Sequence, residues 1–155
     1  MKTHKKRIIG VFILFLMVSC ALESQFALPN DEKINPEFIG EWYSEENDDE
    51  SIKITKNGEK SYRLQVFDEN ETNESIAFSK TIKGFSIMNI QTETKGIITY
   101  VFYGFNVEGN TLTFSEVNDK LRHEEFESES ELLRFFEENL TKEDFFINPT
   151  ELKRK

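Results

Sequence analysis

Between residues 38 and 117, apolar side chains recur at every second position in several short stretches, and turn residues separate these stretches. Ile52 and Ile54 alternate with polar neighbours, for example, and Asn57-Gly58 follows them as a strong β-hairpin signal. Alternation of this kind predicts short strands with one buried face. The predicted strands lie in Phe38–Ser44, Ile52–Ile54, Tyr62–Val66, Ile76–Phe78, Phe85–Ile90, Gly96–Val107, Thr111–Val117 and Leu121–Phe126.

These strands follow one another at spacings typical of an antiparallel meander. Seven or eight strands in an open sheet would leave two exposed edges, and closure of the sheet removes them. We therefore expect a mainly β fold, in which the meander closes into a barrel of about eight strands.

One C-terminal helix is predicted to accompany the barrel. Ser128-x-x-Glu131 matches a capping box, in which the serine and glutamate side chains satisfy free backbone amides at a helix start. Leu132, Phe136 and Leu140 then recur at helical spacing, which predicts a helix to about Asn139 that packs one face on the barrel. Phe145, Phe146 and Ile147 are expected to form a final short strand or a buried tail, and Glu151–Lys155 is expected to be frayed.

The segment Phe38-Ile39-Gly40-Glu41-Trp42-Tyr43 opens the predicted domain. It resembles the Gly-x-Trp motif in the first strand of lipocalins and related calycin barrels. The resemblance implies a lipocalin-like barrel in which Gly40 allows close backbone approach and Trp42 plugs one end. It also implies a basic residue of the last strand across the tryptophan, for which Arg122 is the candidate.

If the interior of such a barrel is open, aromatic and aliphatic residues of alternating parity would line it for an apolar ligand. The other interpretation is that these side chains simply fill a small barrel. The candidate ligand-lining residues are Tyr62, Leu64, Val66, Phe78, Phe102 and Phe114.

The first 19 residues have the organisation of a bacterial export signal. Residues 2–7 carry four fixed positive charges, and residues 8–18 form an uncharged apolar run. A helix of that length spans only about half of the hydrocarbon core of a bilayer. Residues 1–19 are therefore predicted to be a cleaved signal peptide and not a membrane span.

Met17-Val18-Ser19-Cys20 ends this run and resembles the lipobox of bacterial lipoproteins, in which an apolar residue and two small residues precede a cysteine. The resemblance implies cleavage after Ser19 and lipid attachment, such as palmitate, to Cys20, the single cysteine of the chain. Residues 20–36 are then a lipidated tether and 37–150 the domain. Because several acyl chains hold a protein stably, we expect it in the cell envelope, on the outer membrane if the host is Gram-negative.

The predicted mature chain is strongly acidic. Loss of Lys2, Lys5, Lys6 and Arg7 leaves 15 of the 19 basic residues against 29 acidic ones, a net charge of −14. Such a surface repels phosphate backbones, so nucleic acid is not an expected partner. A basic protein would be attracted to it.

Little in the sequence predicts catalysis or metal binding. His123 is the only histidine outside the predicted signal peptide, and no nucleophile motif accompanies it. The acidic run Asn47–Glu50 lacks the spacing of a calcium loop. We expect no enzymatic activity, no cofactor and no metal.

Two functions therefore remain. The first is a membrane-anchored, non-catalytic binding module for a small apolar ligand or a lipid. The second is an interaction or inhibitor lipoprotein that meets a basic protein partner through its acidic surface. An open cavity inside the barrel would favour the first.

Overall fold

A computed structural model describes residues 21–47 and 49–155. The described chain is mainly β, with a closed eight-stranded antiparallel barrel, one additional short strand and one α-helix. In chain order the elements are β1 (Glu23–Ser24), β2 (Gly40–Tyr43), β3 (Ser51–Lys56), β4 (Tyr62–Phe67), β5 (Thr72–Ile82), β6 (Phe85–Thr94), β7 (Ile97–Glu108), β8 (Thr111–Val117), α1 (Glu129–Asn139) and β9 (Phe146–Arg154).

The barrel is a meander closed by its last strand. Each strand from β2 to β8 pairs with the next, and β9 lies between β8 and β2. The short strand β1 adds to β7 outside this ring. The predicted fold class is confirmed, and the topology is consistent with a lipocalin-like fold.

The identity of the closing strand differs from the prediction. The segment Leu121–Phe126 is not a strand, since a 3-10 turn at Asp119–Leu121 and an irregular loop occupy this region. The Arg122 guanidinium donates to the carbonyl oxygen of Glu124 at 2.8 Å and so stabilises the loop. The closing strand is instead Phe146–Arg154, which extends the domain beyond the predicted boundary at residue 150 and leaves residues 151–154 ordered.

The helix begins where the capping box predicts. The Glu131 amide donates to the Ser128 hydroxyl at 3.1 Å, while the Glu131 carboxylate accepts from the Glu127 amide at 2.8 Å. The helix lies before the last strand and packs on the outer wall of the barrel, where Phe136 meets Phe102 with 5.3 Å between ring centroids.

Residues 21–36 lie along the barrel and do not form the extended tether that the sequence predicts. The Leu22 amide donates to the carbonyl oxygen of Val117 at 3.2 Å. Leu28 is 1% exposed, and its amide donates to the side-chain oxygen of Asn89 at 2.9 Å. Two buried leucines therefore make this segment part of the domain, which begins before residue 37.

Candidate binding cleft

Trp42 closes one end of the barrel. The end carries the β3–β4, β5–β6 and β7–β8 turns together with a 3-10 turn at Pro36–Phe38, and we call it the plugged end. Trp42 is fully buried, and its indole N–H donates to the carbonyl oxygen of Phe38 at 3.0 Å. Phe38 itself is inserted into the barrel and packs on Phe105 with 5.8 Å between ring centroids.

The basic residue across Trp42 is Arg154, not Arg122. The Arg154 guanidinium lies 4.3 Å from the centre of the Trp42 ring. It also donates to the carbonyl oxygens of Ile39 and Glu37, each at 2.8 Å. Arg154 lies in β9, the last strand. The basic residue that the resemblance implies across Trp42 is therefore present, but it belongs to Phe146–Arg154 and not to Leu121–Phe126.

Gly40 is required by the same contact. Its φ of +147° disfavours a side chain, and a Cβ at this position would lie 2.8 Å from Nη1 of Arg154. Gly40 and Trp42 are therefore structural parts of the plugged end.

Four of the predicted ligand-lining residues point into the barrel, namely Tyr62, Leu64, Val66 and Phe114. They pack with the other inward-facing side chains in one buried cluster. The Tyr62 hydroxyl also accepts a hydrogen bond from the Asn35 amide at 2.6 Å. These residues form the core, and the cluster gives no support for an interior ligand site.

The other two predicted lining residues, Phe78 and Phe102, face outward. Phe102 alternates with the inward-facing Val101 and Tyr103 and belongs to the cluster beneath α1. Phe78 alternates with Ala77 of the interior cluster and packs on Tyr100 with 6.2 Å between ring centroids. The prediction that both residues line the interior is therefore wrong. Their strands carry apolar side chains on both faces, so the sequence alone does not reveal which face points inward.

A cleft with a volume of about 610 Å³ lies at the plugged end, on the outer side of β7 and β8. Phenylalanines from four parts of the chain line it: Phe38, Phe85, Phe105 and Phe146. Phe85 is 42% exposed, although its ring packs on that of Phe146 with 5.7 Å between centroids. Phe38 and Phe105 are buried, at 2% and 7% exposed, so Phe85 and the half-buried Phe146 supply the uncovered aromatic surface of the cleft.

Gly104 shapes the base of this cleft. A Cβ at position 104 would lie 2.7 Å from the Phe146 ring, so only glycine lets that ring rest directly on β7. The glycine interrupts an otherwise apolar strand, and a glycine inside a strand often marks a close approach. This signal was available in the sequence, but nothing in it linked Gly104 to Phe146 or Phe85.

The polar lining of the cleft is acidic. Glu37 and Glu108 supply carboxylates, and no lysine or arginine is among the described residues that line it. The Asn106 side-chain amide donates to Glu108 at 3.4 Å. Aromatic faces beside carboxylates suit a ligand with an apolar body and a positive charge.

A second acidic region occupies the opposite end of the barrel. Glu50 is only 2% exposed, and the Asn47 side-chain amide donates to its carboxylate at 3.2 Å. Burial raises the pKa of Glu50 above its usual range, and the carboxylates of Asp68, Glu46 and Asp49 raise it further. This acidic end concentrates negative charge that attracts cationic groups.

Residues 21–47 and 49–155 offer little geometric basis for metal binding or for catalysis at His123. Among these residues, no three His, Cys, Asp or Glu side chains lie close enough together to hold a metal ion. His123 is exposed, in the loop before α1. In the same part of the chain, no α-helix has the length and the apolar character needed to span a bilayer.

Comparison of the chain with protein-family models gives no match, and neither curated proteins nor solved structures give a significant one. The fold assignment therefore rests on the topology, a closed antiparallel barrel of eight strands.

Proposed function

We propose that the protein is a non-catalytic binding lipoprotein of the bacterial cell envelope, anchored by lipid at Cys20. Its site is the cleft at the plugged end, and its ligand combines an apolar body with a positively charged group. The observation that carries the proposal is the exposed ring of Phe85 in a cleft that Glu37 and Glu108 also line.

The anchor rests on the sequence, because Cys20 lies outside the described residues. A charged segment, an apolar run and a lipobox-like ending precede it in the order that lipoprotein export requires. The contact of Arg154 with Trp42 supports the further assignment to lipocalin-like proteins. The resemblance to lipocalins implies a basic residue of the last strand that packs across this tryptophan.

The cleft is a better candidate site than the barrel interior. Its volume of about 610 Å³ falls within the range of about 300–1,000 Å³ that is common for small-molecule sites. A ligand that covered the exposed part of Phe85 would gain apolar burial at about 25 cal/mol per Å². In the interior, by contrast, a ligand would have to displace packed core side chains.

A matched pair of probes tests this site. Octylammonium and octanoate share one apolar chain and differ in the sign of their charge. Isothermal titration of a soluble form that comprises residues 21–155 should show binding of octylammonium and much weaker binding of octanoate, because Glu37 and Glu108 attract only the cation.

Two variants separate the cleft from general surface charge. Glu108→Gln should reduce the preference for octylammonium, and Phe85→Ser should weaken its binding, whereas Glu59→Gln on the β3–β4 turn should leave binding unchanged. If octylammonium does not bind, or binds Phe85→Ser as tightly as the parent, the cleft is not the ligand site.

A second candidate function is the recognition of a basic protein segment. The register pairs β5 with β6 only over Ala77–Ile82, so among the described strands Thr72–Ile76 has a neighbour on one side only. An open strand edge can accept an added strand. Ile97 and Ile98, at the start of β7 near the same end, are 61% and 45% exposed.

The charges near this edge favour a cationic partner. Glu71 and Glu93 flank the free part of the β5 edge and are exposed, and the carboxylates around Glu50 lie at the same end of the barrel. A second copy of this chain would bring like charges together there, which disfavours self-association. A basic, extended segment would meet opposite charge and an open edge.

A further inference from the structure

The chain that follows Cys20 is attached to the barrel from its first described residue. Ala21 forms a β-bridge with Asn118, and Leu22 bonds on both sides. Its amide donates to Val117 at 3.2 Å, and its carbonyl oxygen accepts from the Phe102 amide at 3.3 Å. Leu22 is also only 5% exposed. The chain therefore offers no free linker after Cys20.

This attachment fixes how far the barrel can be from residue 20. Neighbouring Cα atoms are about 3.8 Å apart, and paired strands are about 4.8 Å apart. A free linker of the same sixteen residues, 21–36, would by contrast reach about 20 Å on average. The wall around Asn118 must therefore lie within about 10 Å of Cys20, which is comparable to the thickness of a headgroup layer.

One exposed aromatic side chain, Phe85, lies close to the same wall. The Asn118 amide donates to the carbonyl oxygen of Phe145 at 2.8 Å, and Phe146 pairs with Val117. Phe146 in turn packs on the exposed ring of Phe85. An exposed phenylalanine ring is stabilised where it can bury its apolar surface against lipid.

We propose that the lipidated protein lies flush on its membrane, with the wall around Ala21 and Asn118 against the headgroups of the bilayer. This orientation rests on the lipid attachment at Cys20 proposed above. It places the β3–β4 turn on the far side, because in the ring from β2 to β9 the β3–β4 pair lies diametrically opposite the β7–β8 pair.

The surface charge does not overcome the anchor. The wall mixes Lys120 and Lys142 with Asp119, Glu143 and Asp144, all near the bridge to Asn118. Each charge interacts with an anionic membrane by about 1 kcal/mol, whereas a single buried acyl chain contributes about 0.8 kcal/mol for each CH₂ group. The acyl chains therefore keep the protein at the membrane. The short connection between Cys20 and the barrel determines how the barrel is oriented there.

Single-cysteine labelling tests the orientation, since lipid attachment would use the thiol of Cys20 and leave an introduced cysteine as the only free one. Glu143→Cys places the thiol beside Asn118, and Glu59→Cys is a matched change on the opposite β3–β4 turn. For each variant, the rate of reaction with polyethylene-glycol maleimide is compared between the lipidated protein on phosphatidylcholine vesicles and a soluble form that comprises residues 21–155.

The expected result is a several-fold slower reaction of Glu143→Cys on vesicles than in solution, with no change for Glu59→Cys. A flexible Gly-Ser linker inserted between Cys20 and Ala21 should restore the fast reaction of Glu143→Cys. Equal protection of both sites, or none at Glu143→Cys in protein that carries labelled palmitate, would overturn the orientation. Absence of palmitate label would instead refute the anchor itself.

Discussion

At the scale of single residues, Glu50 combines burial with an ionisable group. It is 2% exposed, and burial together with the nearby carboxylates of Asp68, Glu46 and Asp49 raises its pKa. When folding raises the pKa of a carboxyl group, ionisation of that group lowers the free energy of unfolding. Its effect on stability is therefore neutral in acid and becomes unfavourable as the pH rises through the folded pKa.

Glu50→Gln should consequently raise the free energy of unfolding of the protein at neutral pH. The amide can keep the hydrogen bond to Asn47 without carrying a charge. Urea unfolding should show the gain shrinking towards about pH 4, where the parent carboxyl is largely protonated in both states. Glu59→Gln, on the exposed β3–β4 turn at the other end of the barrel, is the control, and a less stable Glu50→Gln at neutral pH would contradict the argument.

Single residues differ in how far the sequence could predict them. Gly40 and Trp42 form a local motif, so their structural role could be expected from six consecutive residues. Arg154 could not, because its contact with Trp42 depends on which segment closes the barrel. Phe78 and Phe102 were placed on the wrong face, since α1 and the N-terminal segment bury part of the outer wall and so hide the usual alternation.

At the scale of elements, β9 was the least predictable strand. Its sequence mixes Asn148, Pro149 and Glu151 with one fully buried residue, Leu152, and so lacks a clear alternation. Strands β3 and β4, which present a clean alternation, were predicted directly. The helix was equally predictable, because Ser128 and Glu131 mark its start locally.

Deletion of residues 152–155 tests the role of β9. It removes the buried Leu152, the Arg154 contact with Trp42 and both β9 residues that pair with β2, and it shortens the pairing of β9 with β8. Loss of one buried leucine alone costs about 2–5 kcal/mol, so the deletion should destabilise the protein by at least that amount. Urea unfolding should show no comparable effect when Lys155 alone is deleted, and a fully stable 152–155 deletion would exclude closure by β9.

At the scale of the whole molecule, closure of the barrel followed from the number of strands, because an open sheet of that size has two exposed edges. The candidate cleft did not follow, since it joins side chains from the N-terminal turn, β6, β7, β8 and β9. The described domain also retains the acidic excess of the predicted mature chain, which has a net charge of −14. Charge on this scale attracts cations to several faces at once.

Recognition of a basic segment at the β5 edge must therefore be distinguished from this general attraction. A peptide of alternating lysine and valine should bind the soluble form that comprises residues 21–155, and an alternating glutamate and valine peptide should not. Glu93→Lys, beside the open edge, should weaken binding more than Glu143→Lys, which changes the net charge equally at a distant site. Affinity measured by fluorescence anisotropy should fall steeply with salt, since the Debye length shrinks from about 10 Å at 0.1 M to about 3 Å at 1 M. Equal losses in the two variants would mean that net charge, and not the open edge, recruits the peptide.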